Sequence, residues 1–247
     1  MKAETIMLCS GKGGTGKSTV SVLLGGCLAA LGHKVLLIEL DSGLRSVDII
    51  AGVYGQTVYD IEDVLCGHCE GAKAIVESPL YPGLSVISAP YEGGEVRPAP
   101  LSRLISAMRP FYSYILLDTA AGLGAPFAAA SQVADRALLV LTPDPVALRD
   151  GKLAADHLLA GSRRQSAVRL VMNRVQKTSF GKNAPVFDLD ECIDTVGAQL
   201  IGVIPESAPL QQAAAAGTVL DPRSAAAAAG QAIARRLCGE RVPLTLW

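Results

Sequence analysis

Nine residues near the amino terminus, residues 11–19, constrain the fold more than any other stretch of the chain. They read GKGGTGKST and lie between a short apolar run at 5–9 and an apolar segment that begins at Val20. A strand, a glycine-rich loop and a helix in that order form the setting of a phosphate-binding loop. Glycines let backbone N–H groups surround an anion, and the start of the helix adds unpaired donors and the positive end of its dipole. The sequence therefore predicts an α/β protein built around such a loop.

The loop offers the groups that a nucleotide phosphate and its metal require. Lys17 has the position from which an ammonium group reaches the β- and γ-phosphates, and Ser18 supplies a hard oxygen ligand suited to Mg²⁺. The loop residues expected to bind the nucleotide are Gly11, Gly13, Gly14, Thr15, Gly16, Lys17, Ser18 and Thr19. The alternative, a glycine-rich turn that binds no ligand, leaves the lysine and the serine at these positions unexplained.

The composition suits an α/β domain of ordinary size. The 247 residues fit one domain, and half of them are hydrophobic, so a large core can be buried. The net charge of −1 gives no general argument for binding nucleic acid. Six scattered cysteines suit a reducing compartment. No signal peptide is evident, and no apolar run reaches the roughly 18 residues of a membrane span. We therefore expect a cytoplasmic protein.

Apolar runs separated by helical segments predict the architecture. Continuous apolar strands are typical of a parallel sheet that is buried on both faces. The runs expected to be strands are 5–9, 35–40, 84–90, 114–118, 137–141, 168–174 and 200–206. We expect one α/β domain over residues 1–247, a P-loop NTPase with a mostly parallel, twisted sheet of seven or eight strands and helices on both faces. Residues 238–247 form a short tail.

Two of the predicted strands lead into an aspartate. Asp41 follows the run 35–40, and Asp118 ends the run 114–118. Ligands bind at the carboxyl ends of strands in doubly wound sheets. An apolar run ending in aspartate, well after a phosphate-binding loop, fits the residue that holds Mg²⁺, so Asp118 is predicted as a metal residue. Asp41 would order the attacking water or the metal shell, and capping a helix is its alternative role.

Lys12, the second residue of the loop, narrows the class of protein. The run KGGTGKS resembles the deviant loop of the MinD/ParA family of P-loop ATPases, and LDSGLRSVD at 40–48 resembles a DxGLRNLD stretch of the MinD branch. The GVIPE run at 202–206 is also typical of that branch. The resemblance covers nearly the whole chain, from residue 1 to about residue 242. It implies an ATPase that uses ATP and Mg²⁺.

The resemblance also implies roles for individual residues. Lys12, Lys17 and Asp41 would be catalytic. Lys12 would reach across an ATP-bound homodimer to the phosphates of the partner, and Asp41 would lie beside the attacking water. Gly122 would offer a backbone N–H to the γ-phosphate.

The resemblance further implies that the residues around the base are Asn173, Pro205 and Glu206. An amide at the end of a strand offers a donor and an acceptor to the adenine edge, and turn formation is the alternative role for Asn173.

Two positions depart from the family pattern. Glu39 stands where an aspartate is usual, and Ala120 replaces the proline of a D-[ST]-P-A-G segment. An extra methylene moves the carboxylate, and the missing proline makes the segment after Asp118 more flexible. The resemblance therefore leaves the rate of hydrolysis open.

The implied function is a spatial switch in division-site placement, in which slow, partner-stimulated hydrolysis releases an ATP-bound dimer. A protein partner of the MinC or MinE type is expected, and nucleic acid is not. Family members continue into a basic amphipathic helix that binds membrane. Here Leu244, Leu246 and Trp247 would make only a weak contact with the inner face of the cell membrane, or would dock on the protein itself.

Other functions on the same scaffold remain as alternatives. A ParA-type partition protein should carry a basic carboxy-terminal face, but that region is alanine-rich with few clustered cations. The sequence has no feature that distinguishes a flagellar or pole-positioning ATPase from an ATPase of division-site placement. A nucleotide-dependent metabolic ligase would need a substrate pocket that the sequence does not identify. A reductase of the nitrogenase iron-protein type needs cysteines in the middle of the chain, and none lies between Cys69 and Cys192.

The CGHC run at 66–69 matches a thiol–disulfide motif in isolation. That motif needs a helix starting at its first cysteine, whereas the residues before it have helical spacing. One CxxC with one histidine is also an incomplete zinc site. We therefore expect neither redox chemistry nor a metal there.

Overall fold

A computed structural model describes residues 3–43, 45–94, 96–160, 167–182, 184, 186 and 188–244. Within them eight strands form one sheet: β1 (Glu4–Cys9), β2 (Val35–Glu39), β3 (Val76–Glu77), β4 (Leu84–Ile87), β5 (Tyr114–Asp118), β6 (Arg136–Leu141), β7 (Val168–Val175) and β8 (Gln199–Pro205). Their spatial order is β3-β4-β2-β5-β1-β6-β7-β8, and every pairing is parallel except that of β3 with β4. The predicted sheet is confirmed.

Helices cover both faces of this sheet, as the sequence predicts. They are α1 (Lys17–Ala30), α2 (Ser46–Ile50), α3 (Ile61–Cys66), α4 (Pro98–Met108), α5 (Ala125–Val133), α6 (Pro145–Ala160), α7 (Leu189–Val196), α8 (Ala208–Ala216) and α9 (Ala225–Leu237). Helices α3 to α7 pack on one core, and α1, α2, α8 and α9 pack on the other. In β1, Met7 faces the first core and Leu8 the second, both fully buried, because successive side chains point to opposite faces.

The strand order positions the site. β5 lies between β2 and β1, and Asp118 is in register with both Leu8 and Glu39. Three carboxyl-terminal strand ends therefore lie side by side. The phosphate-binding loop follows β1, Asp41 follows β2, and Asp118 ends β5, so residues far apart in the chain meet at one edge of the sheet.

The CGHC run lies at the end of a helix. A capping box between Asp60 and Asp63 begins α3, and the helix ends at Cys66 with Gly67 in the left-handed region, at φ 79°. The helix therefore leads into the cysteine pair, as the sequence predicts, and ends at its first cysteine rather than beginning there.

The segment 242–244 lies against α9. Arg236 donates from Nε to the carbonyl of Val242 at 2.9 Å and from Nη2 to that of Pro243 at 2.6 Å. Leu244 is about half exposed and lines a cavity beside the alanines of α9. The other two predicted tail contacts, Leu246 and Trp247, lie outside the described residues. None of the helices within the described residues is long and apolar enough to cross a bilayer.

Candidate functional site

A buried carboxylate lies at the base of the loop. Asp118 is fully buried, and its Oδ1 accepts from Lys17 Nζ at 3.0 Å and from Ser21 Oγ at 2.7 Å, while its Oδ2 accepts from Ser18 Oγ at 2.6 Å. A charge removed from water needs such partners, since an unpaired one would cost several kcal/mol. The structure thus brings together the predicted phosphate-binding lysine and the two predicted metal residues.

Ser21 is a site residue that the sequence reasoning missed, because it reads as part of an apolar helix. It is fully buried, and its one hydroxyl hydrogen is shared between Asp118 Oδ1 at 2.7 Å and the carbonyl of Lys17 at 3.0 Å. Its position three residues after Ser18 and four after Lys17 on α1 puts all three on one helix face. A hydroxyl within an otherwise apolar run was the available signal.

The loop needs its glycines for two physical reasons. Gly14 and Gly16 have φ values of 82° and 83°, in the left-handed region that side chains disfavour. A Cβ at Gly16 would lie 2.5 Å from Asn173 Nδ2, and a Cβ at Gly11 would collide with the Cβ of Asp150. Helix α6 and the end of β7 therefore hold the loop closely.

The other side of the loop is open. A Cβ at Gly13 or Gly14 would meet no atom within 4 Å. The buried Thr15 Oγ1 has no hydrogen-bond partner among the described residues. The loop therefore offers an open glycine surface near Lys17 and hard oxygen ligands from Ser18 and Asp118. This arrangement suits a nucleoside triphosphate with Mg²⁺. The residues present therefore fit the predicted ligands.

The three residues predicted to contact the base lie at the ends of β7 and β8. Asn173 is almost fully buried, and its Nδ2 donates to the carbonyl of Thr15 at 2.7 Å. This bond leaves the amide oxygen as the acceptor for an adenine amino group. Pro205 pairs with Val175, and the N–H of Glu206 donates to the carbonyl of Val175 at 2.9 Å. Recognition of the base by these residues stays a prediction.

Arg174 is a second residue that the sequence reasoning missed. It is exposed and has a φ of 56°, a value that is uncommon for a residue with a side chain. Its Nε lies 3.6 Å from the position a Cβ would take at Gly16. The backbone conformation thus places a cation beside the loop, a feature that no sequence pattern signals.

Asp41 lies at the mouth of the site. Its Oδ2 is 4.0 Å from Lys17 Nζ, and its side chain is 38% exposed. Burial raises the pKa of Asp41, and Asp118 adds to this effect while Lys17 opposes it. The alternative role as a helix cap does not apply here, because α2 begins only at Ser46.

Glu39, one of the two positions where the sequence analysis found a departure from the family pattern, reaches the start of α2. It is fully buried, and its two carboxylate oxygens accept from the N–H of Val47 at 3.2 Å and the N–H of Ala89 at 3.5 Å. Burial, together with the negative charge of Asp118, raises the pKa of Glu39 to about 8. The longer side chain therefore holds the segment after Asp41 in place.

Substitution Glu39→Gln is expected to remove a pH dependence of stability in the nucleotide-free protein. The raised pKa of about 8, against an ordinary value of 4.5, means that the folded state keeps a proton that the unfolded state loses. This contribution is fully present below the ordinary value and is lost as pH rises towards 8. In urea denaturation across this pH range, the free energy of unfolding should decline less for the variant than for the wild type. Glu77→Gln, on exposed β3, is the control, and an equal decline in both variants would contradict the assignment.

Lys12 forms an ion pair within its own subunit. Its Nζ lies 2.9 Å and 3.1 Å from the two carboxylate oxygens of Asp144, just before α6. Burial raises the pKa of Asp144, but hydrogen bonds from Thr142, Lys12 and the N–H of Ala147 outweigh it and hold the pKa below its ordinary value. The predicted contact of Lys12 with the phosphates of a partner would compete with this carboxylate.

Gly122 contacts the strand that leads into the loop. It has a φ of 85°, and its N–H donates to the carbonyl of Ser10 at 2.9 Å. The predicted bond to the γ-phosphate would need this contact to break. The structure thus links the segment after Asp118 to the phosphate-binding loop.

Comparisons with known proteins agree with this geometry. Residues 6–220 match the family described as CobQ/CobB/MinD/ParA nucleotide binding domain. The septum site-determining protein MinD of Bacillus subtilis is 32% identical over 98% of this chain and 91% of its own length. The chain is also similar to that of a MinC:MinD cell division protein complex from Aquifex aeolicus, with a TM-score of 0.90, 34% identity and coverage of 99% and 100%.

A third relative bears on the ligand. MinD from Pyrococcus horikoshii, solved as a complex with Mg-ADP, has a TM-score of 0.81 and 25% identity, with coverage of 95% and 96%. The matches in sequence and in fold cover nearly the whole chain and agree with the residues gathered around Asp118, so the chain belongs to the MinD/ParA family of nucleotide-binding proteins and, within it, to the septum site-determining MinD group.

Proposed function

We propose that this protein is an ATPase of division-site placement that dimerises with Mg-ATP and is released by slow, partner-stimulated hydrolysis. The observation that carries the proposal is the cluster of Lys17, Ser18 and Asp118 at the base of an open glycine loop. The proposed cellular process is supported by the relatives, which include a septum site-determining protein that matches 98% of this chain.

The residues around Asp118 would change partners when the nucleotide binds. Lys17 neutralises Asp118 in this structure. The phosphate oxygens of a bound nucleotide would give Lys17 an alternative anionic partner. Ser18 and Asp118 would hold Mg²⁺, which when bound neutralises charge on the β- and γ-phosphates. Ser21 would keep Asp118 oriented during this exchange, because its hydroxyl is anchored on the backbone of α1.

Hydrolysis would rest on Asp41 and Lys12. Asp41 is partly exposed at the mouth of the site, so its carboxylate can accept a hydrogen bond from a water and orient it for attack. Lys12 would exchange Asp144 for the phosphates of the partner subunit and offset charge in the transition state. The N–H of Gly122 would exchange Ser10 for the γ-phosphate, so that the segment after Asp118 responds to hydrolysis.

The dimer provides the test of this function. Lys12→Ala should retain ATP binding but lose ATP-dependent dimerisation and hydrolysis, because the cation supplied to the partner site is gone. Sedimentation velocity with ATP and with ADP measures the dimer, and release of phosphate measures turnover. Lys34→Ala, an exposed lysine at the other end of the sheet, is the matched control. An ATP-dependent dimer of normal stability in Lys12→Ala would contradict the proposal.

We also propose a protein partner of the MinC or MinE type. A relative with 34% identity was solved as a MinC:MinD complex, which supports the first of these. The protein would act in the cytoplasm and at the inner face of the cell membrane, where Leu244, Leu246 and Trp247 would add a weak contact that a dimer doubles.

The membrane contact predicts ATP-dependent sedimentation with anionic vesicles. Residues 1–247 should pellet with ATP and much less with ADP, and the chain ending at Glu240 should lose the effect in both states. Pelleting that survives truncation would assign membrane binding to another surface. No pelleting alongside normal ATP-dependent dimerisation would point to recruitment by a protein partner.

A further inference from the structure

A second concave site lies at the opposite end of the sheet from the phosphate-binding loop. It has a volume of about 560 Å³, and Leu200 lies among its apolar lining residues. The polar side chains that line it are Glu4, Asp135, Arg136, Arg169 and Arg236. Glu4 and Arg136 begin β1 and β6, and Arg169 is the second residue of β7. The cavity therefore opens at the amino-terminal ends of these strands, whereas the phosphate-binding loop follows the carboxyl-terminal end of β1.

The alternation of strand side chains explains why the charges converge. In each of these three strands the residue two positions after the charged one is fully buried in the core beneath α1 and α9. Glu4, Arg136 and Arg169 must then face that same side, because side chains repeat every two residues. Arg236 reaches the cavity from the last turn of α9.

The two carboxylates of the cavity already have cationic partners. Arg136 Nε lies 2.6 Å from Glu4 Oε1. Asp135 Oδ2 lies 2.8 Å from Arg109 Nη2 and also accepts from the N–H of Thr5 at 2.8 Å. Glu4 therefore neutralises Arg136, and Asp135 neutralises Arg109. Neither carboxylate neutralises Arg169 or Arg236.

The remaining two guanidinium groups contact only neutral acceptors among the described residues. Arg169 donates to the carbonyl of the preceding residue at 3.3 Å. Arg236 donates to the carbonyls of Ile201, Val242 and Pro243. Both side chains are partly buried. Burial lowers the pKa of Arg169, and the positive charge of the neighbouring Arg136 adds to this effect.

We propose that this cavity binds a phosphate-type oxyanion between Arg169 and Arg236, beside the ion pair of Arg136 with Glu4. Two uncompensated guanidinium groups match the charge of a phosphate, and the planar fork of arginine suits its paired oxygens. The phosphate would belong to a free ion or to a lipid headgroup. Arg236 also donates hydrogen bonds to the carbonyls of Val242 and Pro243. A ligand bound to Arg236 would therefore restrict the movement of the segment that carries Leu244.

Phosphate binding can be tested separately from the nucleotide site. Isothermal titration with inorganic phosphate should use the full chain saturated with Mg-ADP, which fills the loop at the other end. We expect saturable binding in the wild type and a loss of about tenfold or more in Arg169→Gln, because a charge-assisted hydrogen bond is removed. Arg223→Gln is the matched control, since Arg223 is exposed and paired with Asp221. No binding in the wild type, or equal weakening in both variants, would overturn the proposal.

Vesicles distinguish the two sources of phosphate. If Arg169→Gln pellets less than Arg223→Gln with phosphatidylglycerol vesicles, and neither pellets with phosphatidylcholine, the ligand is a lipid headgroup. If both variants pellet equally while only Arg169→Gln loses phosphate in solution, the ligand is a free phosphate compound. Arg169→Lys keeps the charge and should retain part of the affinity, which separates loss of charge from misfolding.

Discussion

Replacing Lys17 by alanine is expected to abolish ATP binding and to destabilise the nucleotide-free protein. The ammonium group is the predicted phosphate ligand, and in this structure it also neutralises the fully buried Asp118 at 3.0 Å. Removing one partner of a buried ion pair costs about 3–5 kcal/mol, because the other charge is left without compensation. Titration with ATP and urea denaturation measure the two effects separately.

The two effects of Lys17→Ala can be separated with a second substitution. Adding Asp118→Asn removes the uncompensated charge, so the double variant should regain much of the stability and none of the ATP affinity. Lys73→Ala, an exposed lysine, is the control for loss of a cation. ATP affinity in Lys17→Ala within about tenfold of the wild type, which corresponds to about 1.4 kcal/mol, would show that the loop binds phosphate without this lysine.

Replacing Asp41 by alanine is expected to leave ATP binding intact and to trap the ATP-bound dimer. Asp118 binds Lys17, Ser18 and Ser21 at the base of the loop, whereas Asp41 lies at its mouth, with a partly exposed carboxylate 4.0 Å from Lys17 Nζ. Losing a group that orients and activates the attacking water should slow hydrolysis by about 100- to 10,000-fold. Phosphate release measures turnover, and sedimentation velocity measures the persistence of the dimer.

The control for Asp41→Ala is Asp156→Ala, which removes an exposed carboxylate paired with Lys152 on α6. That variant should hydrolyse ATP like the wild type. If Asp41→Ala also does so, the residue that orders the water must lie elsewhere, and the assignment of the segment after β2 is wrong. Loss of ATP binding in Asp41→Ala would instead indicate a role in the ground state.

Much of the fold could be predicted from local sequence. The continuous apolar runs ending at Cys9 and Asp118 identify buried parallel strands, and the glycines before Lys17 identify the start of α1. The structure adds β3, which has two residues and pairs antiparallel with β4. A strand so short has no periodicity of its own, so only its pairing identifies it.

The sequence alone was enough to predict the parts of the site that depend only on residue type and spacing. A loop with glycines at fixed positions, Lys17 and Ser18 predicts a phosphate site because backbone donors, an ammonium group and a hydroxyl are needed at those offsets. Asp41 and Asp118 were recognisable as strand-end carboxylates. The resemblance of KGGTGKS to the deviant loop then identified the family.

Only the tertiary structure decided how these groups meet. The insertion of β5 between β2 and β1 brings Asp118 to Ser18, which precedes it by 100 residues. The pairing of Lys12 with Asp144 spans 132 residues, and no local pattern reports it. Side-chain periodicity describes which face of an element is buried, whereas contacts over such separations depend on which elements become neighbours when the whole core packs. Ser21, Arg174 and the arginines at the far end of the sheet acquire their surroundings in this way.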